Sequence, residues 1–138
     1  MKRAFTMVEL VFVIVVIGIL AGIAAPRLFA TRDDAIITKA RSDIASIKSA
    51  VVNFRNTNML QGKFEYPNLE GSNNDVLFEA VLQNGIVPNS KSGWDLSGND
   101  YKFNLAGSSI TFTYDKTTGT FDCAEADKKK DLCNQLTK

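Results

Sequence analysis

The hydrophobic and polar positions divide the chain into three stretches with different periods. From residue 10 to residue 25 there is no charge, and nearly every position is apolar or small. A helix that is apolar on all sides is surrounded by lipid or protein, not by water. Ile37, Ala40, Ile44, Ile47, Val51 and Phe54 then recur at spacings of three and four, the stripe of a one-sided helix. Arg41, Lys48 and Arg55 recur on another face. No strong breaker appears before Gly62, so the pattern predicts a helix running to about Asn56 or Asn58. The stripe stops short of about three heptads and contains alanine, which favours packing on a sheet over a coiled coil.

Beyond the helix the period changes. Glu65-Tyr66-Pro67 opens a loop rich in Asn, Gly and Ser over residues 68–74. Asn74 or Asp75 is expected to cap a short helix over residues 76–83, ended by Gly85. A polar loop carrying Trp94 follows. Residues 101–105 and 110–114 alternate in polarity, with Ala106-Gly107-Ser108 turning between them. Residues 115–119 turn again into a third short strand over residues 120–123. The expected fold class is α+β, with one long N-terminal helix packed on a small antiparallel sheet of three or so strands.

The N-terminus admits three readings. Lys2, Arg3 and the apolar run suit a secretory signal, with Gly22-Ile23-Ala24 as a small-x-small cleavage site. A soluble binding domain released after Ala24 by ordinary signal peptidase is then the expected product. Alternatively the run is a single-pass anchor. Starting at Phe5, residues 5–25 give roughly 31 Å of helix, enough to span a bilayer. That span encloses Glu9, and an intramembrane carboxylate implies a function and a partner. The third reading supplies the partner. A cut between Ala4 and Phe5 frees an α-amino group about 6 Å along the helix axis from Glu9. The amine then pairs with its own Glu9 or with that of a neighbouring copy, and the pairing selects register between subunits.

The stretch Ala4-Phe5-Thr6-Met7-Val8-Glu9-Leu10, after a short basic leader and before a long apolar run, resembles the N-terminal signature of type IV pilins and type II secretion pseudopilins. The resemblance is specific over about the first 30 residues and general beyond them. It implies a pilin fold and the third reading: a prepilin peptidase cuts at Ala4/Phe5 and methylates the Phe5 amine, and Glu9 is the assembly acid. It also implies that Pro26 bends the helix. The family usually has glycine before the cut, where this chain has Ala4. Gly18 and Gly22 form a G-x-x-x-G pair that lets another helix approach, although glycine is also simply frequent in membrane helices. Pro26 lacks an N–H and disturbs the preceding turn.

Four segments follow: a leader peptide at 1–4, a membrane and filament-core half-helix at 5–26, an amphipathic half-helix at 27–58 and a head at 59–138. The expected function is a structural subunit of a type IV pilus, inserted in the inner membrane and polymerised through its helix. The alternative is a pseudopilin of a type II secretion or DNA-uptake system. The expected partners are further copies of the chain, a prepilin peptidase, an inner-membrane assembly platform and the membrane itself. The head is expected outside the cytoplasm, first on the membrane and then in an extracellular or periplasmic filament. Basic residues flank both sides of the span, so charge alone does not orient it.

Charge and composition narrow the chemistry. The net charge is +1 and histidine is absent, which removes the commonest general base and metal ligand. There is no P-loop or dinucleotide fingerprint, and the expectation is a non-enzyme without cofactor or metal. Asp95, Asn99 and Asp100 cluster in a loop but lack EF-hand spacing. Lys128-Lys129-Lys130 is balanced by Glu125, Asp127 and Asp131, a solvated loop and not a nucleic-acid site. Cys123 and Cys133 are expected to form a disulfide if the head lies outside the cytoplasm, and to be two reduced thiols otherwise. Related pseudopilins carry a calcium loop near this region. Its replacement by cysteines favours the pilus reading.

Overall fold

A computed structural model describes residues 4–73, 75–128 and 130–138. It contains α1 (Met7–Leu60), β1 (Gly93–Ser97), β2 (Asp100–Leu105), β3 (Ser108–Asp115), β4 (Thr120–Cys123) and α2 (Asp131–Thr137). The contacts divide the chain into two units, Met1–Asp34 and Ala35–Lys138. The leader residues Lys2 and Arg3, the cap candidate Asn74 and Lys129 of the lysine run lie outside the described residues.

In the second unit the alternating strands form an antiparallel sheet in the order β1-β2-β3-β4. Register runs through Trp94↔Phe103, Phe103↔Ile110, Tyr101↔Phe112 and Phe112↔Cys123, which places the apolar side chains on one face. The helical stripe covers that face. Ala40, Ile44, Ile47 and Val51 are buried and Ile37 packs against them, as the three-four spacing predicts. Phe54 departs from the expectation and is 39% exposed. Trp94, Phe78, Phe103, Phe112 and Phe121 form the centre of the core, with Phe78 stacked on Tyr101 at 4.3 Å. The α+β fold class is the one expected.

Several elements differ from the sequence reading. The helix runs to Leu60, where Gly62 at φ 76° ends it and the Gly62 and Lys63 N–H groups close on Met59 and Asn58. The expected helix over residues 76–83 is absent. Phe78 takes φ 60°, a conformation no α-helix passes through, and its N–H donates to Glu70 Oε1 at 3.2 Å. Leu77 pairs with Ile86 across a short bridge instead. Burying Leu77 and Phe78 outweighs the weak helical preference of so short a segment. The polar loop expected around Trp94 is an edge strand, so the sheet has a fourth member. The closing helix α2 was not anticipated. It brings Cys133 and Leu136 into the core.

Candidate functional site

The first unit holds the N-terminal part of α1. Every residue of α1 from Met7 to Leu28 is exposed, including Val8, Phe12, Ile17, Leu20 and Ile23. Its length and composition suffice to cross a membrane. An apolar surface of this extent on a soluble monomer would be anomalous, and it marks a lipid or protein interface.

The helix begins at a capping box. Thr6 Oγ1 accepts the Glu9 N–H at 3.2 Å, and Glu9 Oε2 accepts the Thr6 N–H at 3.0 Å and its hydroxyl at 2.9 Å. The Leu10 N–H reaches the Thr6 carbonyl at 3.1 Å. Two orphan backbone donors are thereby satisfied reciprocally. The carboxylate therefore caps the start of the helix on the single chain. Thr6 was absent from the predicted site. The signal was present, because Thr6-Met7-Val8-Glu9 is the T-x-x-E spacing of such a box.

Ala4 and Phe5 precede the helix and are exposed, with Phe5 at 80%. Gly18 and Gly22 lie four residues apart, and a Cβ on either would meet nothing within 4 Å. The helix passes through Pro26, which leaves the Gly22 carbonyl without its usual i+4 donor. Thr31 turns its hydroxyl onto the carbonyls of Arg27 and Leu28 at 3.1 and 3.0 Å. The structure brings Glu9 and Thr6 together, and leaves Phe5, Gly18, Gly22 and Pro26 unpacked on the single chain.

In the head, Cys123 and Cys133 form the disulfide, which joins β4 to α2. Asp127, 8% exposed, accepts the Thr111 N–H at 2.6 Å and pairs with Lys130 at 2.7 Å. The Lys130 ammonium first, and then the Thr111 N–H, hold its carboxyl below the ordinary carboxylate range against the opposing effect of burial. Lys128 pairs with Glu125, so the described lysines of the basic run are locally compensated. Asp95, Asn99 and Asp100 fall on the β1–β2 hairpin, where Asp95 Oδ1 accepts the Leu96 N–H. Among the described residues no group of three acidic, cysteine or histidine side chains could hold a metal ion.

Comparison with known proteins agrees with this geometry. The family described as the prokaryotic N-terminal methylation motif matches residues 1–25. A type II secretion system core protein G of Pectobacterium carotovorum subsp. carotovorum is 42% identical over 50 residues, covering 36% of this chain and 32% of the relative. The protein of that name from Escherichia coli (strain K12) is 40% identical over 50 residues, 36% of this chain and 34% of its own. The one from Pseudomonas aeruginosa is 27% identical over 97 residues, 70% of this chain and 61% of its own. The chain thus spans between about a third and three fifths of these relatives. No solved structure matches it. Motif, relatives and fold together bear out the resemblance to the type IV pilin and type II secretion pseudopilin family.

Proposed function

We propose that the chain is a pseudopilin, a structural subunit that polymerises through its N-terminal helix into a short filament of a type II secretion system. The observation that carries this reading is the similarity to core protein G, which in the Pseudomonas relative covers 70% of this chain and so extends past the shared N-terminal motif. That similarity reverses the order of the two sequence-based readings. The type IV pilus becomes the second, supported by the Cys123–Cys133 loop.

In the proposed cycle the subunit waits in the inner membrane with its head on the periplasmic side. A prepilin peptidase removes residues 1–4 and methylates Phe5. An assembly platform then lifts the helix out of lipid onto other copies. The Glu9 carboxylate accepts the Thr6 N–H and hydroxyl while the subunit is alone. Once the amine of Phe5 on another copy is available, a full positive charge competes for the same carboxylate, and charge-assisted pairing is the stronger bond. The role is structural and not enzymatic, and needs no cofactor.

Mass spectrometry of the mature N-terminal peptide tests the processing. N-methylated Phe5 is expected, and a start at Ala25 would overturn the filament reading in favour of a released domain. Electron microscopy at native expression then separates the two filament readings. No long surface fibres are expected, and their presence would replace pseudopilus by pilus.

A further inference from the structure

The second unit holds a cavity of about 310 Å³ between α1 and the segment that leads into β1. Its walls are Ile36, Ala40, Ile86, Val87 and Trp94, and its two charged side chains are Asp43 and Lys39. This volume lies at the lower end of the range for small-molecule sites. The segment facing α1 is fixed: the Asn89 N–H donates to the Trp94 carbonyl at 2.7 Å, and Asn89 Oδ1 accepts the N–H groups of Lys91 and Ser92. Asp43 is half-buried on the helix side. Its Oδ2 accepts the Trp94 indole N–H at 3.2 Å, and among the described residues Oδ1 accepts no hydrogen bond. Half-burial raises the Asp43 carboxyl against the opposing effects of the Trp94 N–H and of Lys39, and a cationic partner on Oδ1 would offset that cost further.

We propose that this cavity binds a primary ammonium group on a short aliphatic stem, the ammonium on Asp43 Oδ1 and the stem between Ile36, Ile86, Val87 and Trp94. One carboxylate is too few for a divalent cation, which takes several oxygen ligands. An anion would meet Asp43 unfavourably and would find Lys39 as its one charged partner. Lys39 stands one helical turn before Asp43, is exposed and, among the described residues, makes no ion pair within bonding distance. Its positive charge acts on Asp43 from a distance and repels an incoming ammonium. The inference is independent of the filament reading, because it rests on residues of the second unit alone.

Trp94 is the chain's single tryptophan, so its emission reports directly on the cavity. The full chain in a non-ionic detergent is titrated with n-butylammonium, with n-butanol as the uncharged control. A saturable emission change is expected with the ammonium and not with the alcohol. Asp43→Asn should weaken binding by about tenfold or more, the usual scale for removing one partner of a desolvated charge pair. Lys39→Met should tighten it, since the repelling charge is gone. Equal response to butanol, or no tightening in Lys39→Met, would overturn the proposal even if Asp43→Asn fails to fold. Nα-acetyl-lysine amide distinguishes the source. Its binding assigns the cavity to a lysine side chain of another protein chain, and binding of n-butylammonium alone assigns it to a free amine.

Discussion

Asp127 receives the Thr111 N–H at the point where β4 has ended, so a side chain continues the ladder along β3. The Ala124 N–H supplies the matching donor to the Thr111 carbonyl. A buried backbone donor left without that acceptor costs about 1–3 kcal/mol. Because the folded-state carboxyl titrates below its unfolded value, its stabilisation is complete above the ordinary aspartate range. It is lost as pH falls through the lowered folded value. Urea unfolding as a function of pH should therefore show stability dropping on acidification in the native chain. Asp127→Asn should be less stable at neutral pH and should lose less on acidification. Parallel curves for the two would show that Asp127 does not carry the effect. At the same scale, Tyr101 keeps its proton far beyond neutral pH through burial and the nearby Glu70 carboxylate, to which its hydroxyl donates at 2.6 Å. It acts as a fixed donor beneath the αβ connection.

Among the elements, the β3–β4 turn is tied to the connection after α1. Gly119 sits at φ 71°, and a Cβ there would fall 2.1 Å from the Tyr66 ring. Tyr66 in turn lies under the Arg55 guanidinium at 4.3 Å. Gly119→Ala combines backbone strain with a clash, and should cost about 2–4 kcal/mol in thermal unfolding. A change below about half a kilocalorie would show that the turn moves aside freely. The disulfide should contribute roughly 3 kcal/mol for a loop of this size, and the Cys123→Ser/Cys133→Ser double variant should unfold at correspondingly lower denaturant. Much of this layer was legible in the sequence. Strong periodicity gave α1 and its buried stripe, clean alternation gave β2 and β3, and the turn over residues 115–119 gave β4. Residues 76–83 misled because their helical signal is short, and Phe78 gains more from stacking on Tyr101 than from local helix. β1 was hidden because Gly93 and Asp95 dilute its alternation, though Trp94 and Leu96 flanked by Gly98-Asn99 carried a hairpin signal. α2 is short and has no side-chain cap, so its identity depends on tertiary anchors: Cys133, Leu136 and the Arg41 guanidinium, which donates to the Gln135 carbonyl.

For the whole molecule, the candidate site was readable because membrane insertion and self-assembly act on composition. An apolar run, one carboxylate and one proline are visible without coordinates. The capping partner of Glu9 required the geometry to be noticed. Glu9→Val should still enter the membrane but yield few or no filaments, read by pelleting of assembled material from cells or membranes. Normal filament yield from that variant would remove Glu9 from register selection. The order in which the polypeptide emerges adds a different constraint. The core includes Ile47 from α1, and Cys133 and Leu136 from α2. The disulfide cannot close until α2 is available. The head therefore finishes folding only after α2 has emerged, and a product cut between β4 and α2 should remain open, protease-sensitive and unfit for incorporation.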